Sequence, residues 1–426
     1  MLTLVEFLSK NRLSTGDRVR IQWKGMHVEG IILPRPTDGG SILTLKMSSG
    51  YNTGFSVGTI SSVEKIPHVN GVTSPKTESA RVDSHAQSTK PGFSIVGVGG
   101  TIASKVDYDK GGVSAKLTPS ELAEMVPQIG EFAQIKQIVS PFTKMSEDMG
   151  PSDWIQIAKV CVEELSKPDV HGVVLTHGTD TLHYTAAALS FMIRDLSKPL
   201  VLVGSQRSSD RGSSDAVMNL ICGARVAVGG MAEVGICMHG TTSDDYCLFI
   251  RGSSARKMHT SRRDAFRPMN QLPIAKVWPD GKIEAVSEYT PRSDGKPALD
   301  AVFEEKIALV KVFPGMSAEI LEHYYATGCK GFVIEGTGLG HTPSSFFETI
   351  QKITASGVPV FITSQTLYGR VNLDVYTNLR LLKSAGAVGL EDMLPEVAYV
   401  KLGWVLAHTK DPAKVKEMML TNYAGE

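Results

Sequence analysis

Three regimes of hydrophobic patterning follow one another along the chain. Up to about residue 67, polar and apolar positions alternate in short runs. These are Asp17-Arg18-Val19-Arg20-Ile21 after Gly16, Gly30-Ile31-Ile32-Leu33 stopped by Pro34-Arg35-Pro36, and Ile42-Leu43-Thr44-Leu45-Lys46-Met47. Period-two runs at close spacing, bounded by turn residues, predict short strands and a small β-barrel over 1–67, with Gly50 to Phe55 as a glycine-bracketed turn. Residues 68–91 are rich in Ser, Thr, Lys, Glu, Asp and His and hold almost no large apolar side chains. Such a segment cannot bury enough surface to offset its ordering entropy, so a flexible linker is expected there.

From Phe93 onward, continuous apolar runs alternate with amphipathic ones. Phe93 to Val98, Gly172 to Thr176, Pro199 to Gly204 and Val234 to Met238 read as buried strands. After Pro151-Ser152-Asp153, apolar Trp154, Ile157, Ala158, Cys161 and Leu165 recur at helical spacing. Buried strands alternating with helices predict a mostly parallel sheet covered on both faces, assigned to a large domain over 92–290. A polar, proline-containing link at 291–306 leads to a second α/β domain over 307–426. Its strands are expected at Ala308 to Phe313, Gly331 to Glu335 and Val358 to Thr363, and its helices near 317–326, 344–356 and 391–408.

Charge narrows the partners. Lys plus Arg and Asp plus Glu both total 44, and residues 1–67 hold eight basic against five acidic residues. A dedicated nucleic-acid binder shows a larger basic surplus, so extensive phosphate contact is not expected of this chain. The five cysteines, Cys161, Cys222, Cys237, Cys247 and Cys329, are odd in number, lie mostly in apolar runs and form no C-x-x-C pair. Buried free thiols in a reducing compartment are expected, with no zinc site. The opening residues do not read as a secretory signal and no stretch reaches membrane-spanning length, which predicts a cytoplasmic protein without membrane contact.

The chemistry gathers in two turns. Gly99-Gly100-Thr101-Ile102 and His177-Gly178-Thr179-Asp180-Thr181 each follow a predicted strand, which puts hydroxyls at the carboxyl edge of an open α/β sheet. A dinucleotide fingerprint is excluded at the first turn: the third glycine position of G-x-G-x-x-G holds Ile102, and the residues after it are loop-like. Amide cleavage needs a nucleophile, a base, an orienting carboxylate and donors for the oxyanion. Thr101 and Thr179 supply hydroxyls, Asp180 a carboxylate and the glycine turns backbone N–H groups, with Lys and His both open as the base. The competing reading makes Thr179 or Asp180 the cap of the following helix. His177 and His183 face no carboxylate motif and read as packing or loop residues. Arg251, Arg256, Arg262, Arg263 and Arg267 read as a solvated face.

These turns resemble the paired signatures of the bacterial-type L-asparaginase family: Gly99-Gly100-Thr101-Ile102-Ala103 for the first, Leu175 to Thr181 for the second. Val203 to Arg207, Asp215 to Leu220 and Ala255 to Thr260 resemble segments that follow in the same family, so the resemblance covers roughly residues 92–420. It implies an asparaginase-like two-domain α/β fold, with Thr101 as primary nucleophile and Thr179, Lys257 and Asp180 as a hydroxyl-lysine-carboxylate relay. Ser146 and Glu147 would bind the amino-acid ends of the substrate, Glu147 standing where many asparaginases carry glutamine. The loop from Lys105 to Lys116 would be a mobile lid with Tyr108 as its hydroxyl. A homodimer core is implied as well.

The roughly 90 residues ahead of the first turn resemble the extension found in the D subunits of archaeal glutamyl-tRNA(Gln) amidotransferases. That resemblance implies release of ammonia from glutamine or asparagine for conversion of Glu-tRNA(Gln) to Gln-tRNA(Gln). An E-type partner subunit would use ATP, with Mg, and carry most of the tRNA contact. This chain would bind no cofactor itself, in keeping with the absence of a G-x-x-x-x-G-K-[ST] loop. A free-standing asparaginase with an accessory barrel and a non-catalytic scaffold are the alternatives.

Overall fold

The structure, a computed structural model, describes residues 3–33, 40–47, 52–66, 89–99, 104–107, 112–115, 126–207 and 213–426. The N-terminal unit opens with helix α1 (Leu4–Lys10), started by a capping box in which the Thr3 hydroxyl accepts from the Glu6 N–H. Strands β1 (Arg18–Trp23), β2 (Met26–Ile32), β3 (Ile42–Met47), β4 (Asn52–Ser56) and β5 (Ile60–Lys65) follow. They form an antiparallel sheet in the order β4-β3-β2-β1-β5. Among the described residues the two edge strands are not paired with each other, so no closed barrel is described. Alternation turns Val19, Ile21, Leu43, Leu45 and Phe55 inward onto Phe7 of α1.

One expectation in this unit fails. Asn52–Ser56 is a strand, with Leu43 opposite Phe55 and Thr44 opposite Gly54, while Gly50 and Tyr51 lie outside the described residues. A methyl at position 54 would come 2.9 Å from Ile42 Cγ2, so that glycine marks close approach of two strands and not a chain reversal.

The large unit is an eight-stranded sheet. Strands β6 (Gly92–Gly97), β7 (Gln134–Val139), β8 (Val173–Thr176), β9 (Leu200–Val203) and β10 (Val234–His239) run parallel. Beyond them β11 (Cys247–Arg251) turns antiparallel, and a small hairpin of β12 (Ala255–Lys257) and β13 (Phe266–Pro268) follows it in the chain. Strands β14 (Ala275–Val277) and β15 (Ile283–Ala285) complete the sheet, whose order is β15-β14-β11-β10-β9-β8-β6-β7. Helices α2 (Pro151–Leu165) and α3 (Leu182–Met192) cover one face, packing on Val96, Leu175, Leu202 and Ile236. Helix α4 (Ala216–Ala227) covers the other, packing on Ile95, Val174, Val201 and Cys237. Burial on both faces is why these strands read as unbroken apolar runs.

The C-terminal unit is a four-stranded parallel sheet of β16 (Ile307–Lys311), β17 (Gly331–Gly336), β18 (Val360–Ser364) and β19 (Val388–Gly389). Helices α5 (Glu319–Ala326), α6 (Phe346–Ala355) and α7 (Thr377–Ser384) pack on one face. Helix α8 (Pro395–His408) lies on the other, against α3 of the large unit, and α9 (Pro412–Leu420) follows it. Buried between two units, α8 is apolar nearly all round, with Val397, Val400, Leu402, Trp404 and Val405 enclosed. It starts at Pro395 and not at Glu391, because proline has no N–H to donate and fits the first helical turn. All five cysteines are buried and free. No helix among the described residues is long and apolar enough to cross a membrane.

Candidate active site

Strands β6 and β8 are parallel neighbours, with Thr176 opposite Gly97, so the turns that follow them leave the sheet at the same edge. Gly99 has φ +109, and a methyl there would sit 2.3 Å from the Lys144 carbonyl oxygen, so left-handed backbone and close approach both require glycine. Thr101 lies just beyond, outside the described residues, and so does Tyr108. Of the expected lid, Ser104–Asp107 and Gly112–Ala115 are described and pair as an antiparallel hairpin.

The second turn is fully described. Helix α3 begins at Leu182 with Thr181 at its N-cap, and the Thr181 hydroxyl donates to the Ser146 carbonyl at 2.6 Å. Neither Thr179 nor Asp180 is spent on capping. Lys257, at the end of β12, reaches both: its Nζ donates to Thr179 Oγ1 at 2.9 Å and to Asp180 Oδ1 at 2.6 Å. The Lys257 side chain is 9% exposed and that of Asp180 66%, so the amine sits in the wall of the site while the carboxylate faces its open side. A lysine between a hydroxyl and a carboxylate can take the hydroxyl proton, with the carboxylate fixing the amine in place.

Ser146 stands in a short 3₁₀ turn (Ser146–Asp148) and is buried, whereas Glu147 is exposed. A methyl on Gly178 would come 2.8 Å from Ser146 Oγ, so this glycine lets the serine segment close on the Thr179 turn. The structure thus brings Ser146, Thr179, Asp180 and Lys257 to one edge of the sheet.

A second layer lies behind them. His177 is fully buried, its Nδ1 donating to the Gly178 carbonyl at 2.7 Å and its Nε2 accepting from the Thr185 hydroxyl at 2.9 Å. Burial pushes its pKa down to about 4. His183 does face a carboxylate, contrary to the sequence reading: Glu396 of α8, 3.8 Å from its Nε2. The sequence distance of more than 200 residues hid this partner. Arg256, next to Lys257, approaches the same Glu396 oxygen at 3.5 Å. Burial, then the Arg256 and Lys257 cations, lowers the His183 pKa to about 3, while burial raises that of Glu396. Arg256 Nη1, His183 Nδ1 and Glu396 Oε1 make no hydrogen bond.

Of the arginine stretch only Arg262 is exposed as a solvated face requires; the other four are partly buried, and all five meet carboxylates. Arg251 meets Glu233, Arg256 meets Glu396, Arg263 meets Asp244, and Arg262 and Arg267 share Asp264. Among the described residues no group of three His, Cys, Asp or Glu side chains is arranged to hold a metal ion.

Comparison with known proteins places this geometry. The description "Asparaginase, N-terminal" matches residues 93–290, "Glutaminase/Asparaginase C-terminal domain" residues 306–419, and "GatD N-terminal domain" residues 13–66. The D subunit of the glutamyl-tRNA(Gln) amidotransferase from Thermococcus kodakarensis is 51% identical over 427 residues, covering 99% of this chain and 96% of that protein. Its Methanopyrus kandleri counterpart is 47% identical over 429 residues, covering 99% and 93%. Among solved structures, the thermostable L-asparaginase from Thermococcus kodakarensis superposes with a TM-score of 0.71 at 31% identity, over 79% of this chain and 98% of its own. L-asparaginase I from Vibrio cholerae superposes with a TM-score of 0.69 at 27% identity, over 79% and 99%.

Proposed function

Because the chain belongs to the family of glutamyl-tRNA(Gln) amidotransferase D subunits, whose larger part is asparaginase-like, we propose that it releases ammonia from the side-chain amide of glutamine or asparagine. The ammonia serves a partner subunit of the E type, which amidates Glu-tRNA(Gln) with ATP and Mg. The observation that carries the reading is the hydrogen-bonded set Thr179-Lys257-Asp180 at the carboxyl edge of the sheet.

In this reading Thr101 attacks the carboxamide carbon. Its proton passes through the Thr179-Lys257 pair to the leaving nitrogen, and the C–N bond breaks to give ammonia and an acyl-enzyme that water hydrolyses. Asp180 fixes Lys257 and receives the substrate α-amino group, Ser146 and Glu147 bind the amino-acid ends, and Tyr108 closes with the lid. The chain itself carries no cofactor, pairs with a second copy, leaves most tRNA contact to the partner, and works in the cytoplasm. Its division is a barrel-like unit over 1–67, a linker over 68–91, the site-bearing unit over 92–290, a link at 291–306 and the small unit over 307–426.

The test is ammonia release from glutamine and asparagine by wild type and the Thr101→Ala, Thr179→Ala and Lys257→Ala variants. Each substitution is expected to lower the rate by about 10²-fold or more. Undiminished release from Thr179→Ala and Lys257→Ala would overturn the relay and place the chemistry at an unforeseen site, whereas no release by wild type would leave the scaffold alternative. Addition of an E-type subunit with Glu-tRNA(Gln) is expected to raise the rate, and an unchanged rate would favour the free-standing amidohydrolase.

A further inference from the structure

Thr179 rests against Gly204, the residue that follows β9. A methyl on Gly204 would come within 2.8 Å of Thr179 Cγ2 and 3.1 Å of the His177 carbonyl oxygen. The backbone at Gly204 is held in turn by α4. Asn219 Nδ2 donates to the Gly204 carbonyl at 2.9 Å and to Asp215 Oδ2 at 3.0 Å. Asp215 accepts from Ser205 Oγ at 2.9 Å and from the Gln206 and Arg207 N–H groups at 3.1 Å. Asp215, Asn219, Ser205 and His239 are all fully buried.

All three partners of Asn219 Nδ2, which also lies 3.3 Å from Met238 Sδ, are acceptors, so the amide orientation is settled and its Oδ1 must accept. Oδ1 faces His239, receiving the backbone N–H at 3.1 Å and Nδ1 at 2.6 Å. His239 Nδ1 therefore carries a proton. The other ring nitrogen, Nε2, lies 3.0 Å from Asp244 Oδ1, a carboxylate oxygen that can only accept. Both bonds form together only in the imidazolium. The His239 bond, then Arg263 at 2.6 Å, keeps the Asp244 carboxyl below its usual range, as an ion pair requires. Among the described residues the Cys247 thiol, 3.5 Å from Asn219 Oδ1, and Cys237 are further titratable neighbours, both kept neutral by burial. Arg267 reaches the Gly240 carbonyl at 2.8 Å beside the histidine.

We infer that His239 is a positioning residue: as an imidazolium bridging Asn219 and Asp244, it sets the seat of Thr179 through Asn219 and Gly204. Removal of the Nδ1 bond leaves Asn219 Oδ1 held only by the His239 backbone N–H, which loosens the Asn219 amide and with it the Gly204 backbone against which Thr179 rests. This rests on the proposed role of Thr179, but the contacts that lead from its methyl through Gly204, Asn219 and His239 to the exposed Asp244 stand without that role.

The test follows the His239 ring nitrogens and the Thr179 methyl by NMR in the full chain, wild type against variants in one buffer. Expected in wild type are two protonated ring nitrogens, each donating to its acceptor. In Asp244→Ala, an exposed change that removes the acceptor of Nε2, one ring N–H is lost and the Thr179 methyl resonance moves with it. In His239→Gln the methyl resonance is displaced as well and kcat for amide hydrolysis falls about tenfold with KM little changed, as expected of a misplaced reactive group. A singly protonated His239 in wild type, or a Thr179 methyl indifferent to both variants, overturns the inference. If the two resonances respond together in a chain that releases no ammonia, the proposed function fails and this inference stands.

Discussion

At the scale of the residue, two buried histidines lie on either side of the Thr179 turn in the chain. His177 and His183 are held neutral, with pKa values lowered to about 4 and about 3 chiefly by burial. The unfolded chain takes up these protons below about pH 6.5 and the folded chain does not. Stability is therefore full above that range and falls as pH drops toward 4, each histidine steepening the loss by up to about 1.4 kcal/mol per pH unit. The raised carboxyl of Glu396 acts in the opposite sense and softens the fall. Urea midpoints measured between pH 4 and 8 are expected to show this slope, and His177→Gln is expected to flatten it. Gly204→Ala tests the seat of Thr179 directly. With Cβ 2.8 Å from the threonine methyl, the threonine must turn off Lys257. Ammonia release is expected to drop about tenfold or more, with a stability loss of about 1–3 kcal/mol in a melt.

At the scale of the element, α8 links the two α/β units to the site. Its first turn places Glu396 against Arg256 and His183, the neighbours of Lys257 and of the Thr179 turn. Both residues that flank the candidate relay thus converge on one carboxylate from another unit. Glu396→Ala leaves the half-buried Arg256 cation without its partner, an expected loss of about 2 kcal/mol by denaturant titration. Glu396→Gln, which keeps an acceptor, is expected to lose less. Were Glu396 only a surface cap, both changes would leave the midpoint unmoved. The element was legible from its apolar run, but its purpose was not, because a helix buried on two sides gives no amphipathic stripe from which to infer its neighbours.

At the scale of the whole molecule, the solved asparaginases are matched over 98–99% of their length by 79% of this chain, so the asparaginase-like part has counterparts that fold without the N-terminal sheet. The N-terminal unit has its own core, built on Val19, Ile21, Leu43, Leu45 and Phe55. A chain starting at residue 89 is expected to keep a cooperative melt and its basal ammonia release. Under the proposed function it is also the sample in which to ask whether stimulation by an E-type subunit is lost. A truncated chain that aggregates or melts without cooperativity would show that the first unit is part of the fold of the rest.

What the sequence by itself determined was local and periodic. Runs such as Phe93 to Val98 and Val173 to Thr176 had to become buried strands, since no solvent-facing element tolerates so unbroken an apolar stretch, and the glycine turns after them had to carry hydroxyls at the sheet edge. Glycine at 54 misled because period and turn signals do not distinguish a reversal from a close strand approach. Residue types and spacing left Lys and His both open as the partner of Thr179, and only the family resemblance named Lys257; the structure sets its Nζ 2.9 Å from Thr179 Oγ1, across 78 residues, by way of a hairpin off the sheet. Tertiary structure also decided that each of five arginines meets an acidic partner, four of them partly buried, and that Glu396 lies against Arg256 and His183. Hydrogen bonds and ion pairs depend on distances of a few ångströms between segments that lie far apart along the chain, and no periodicity encodes those distances.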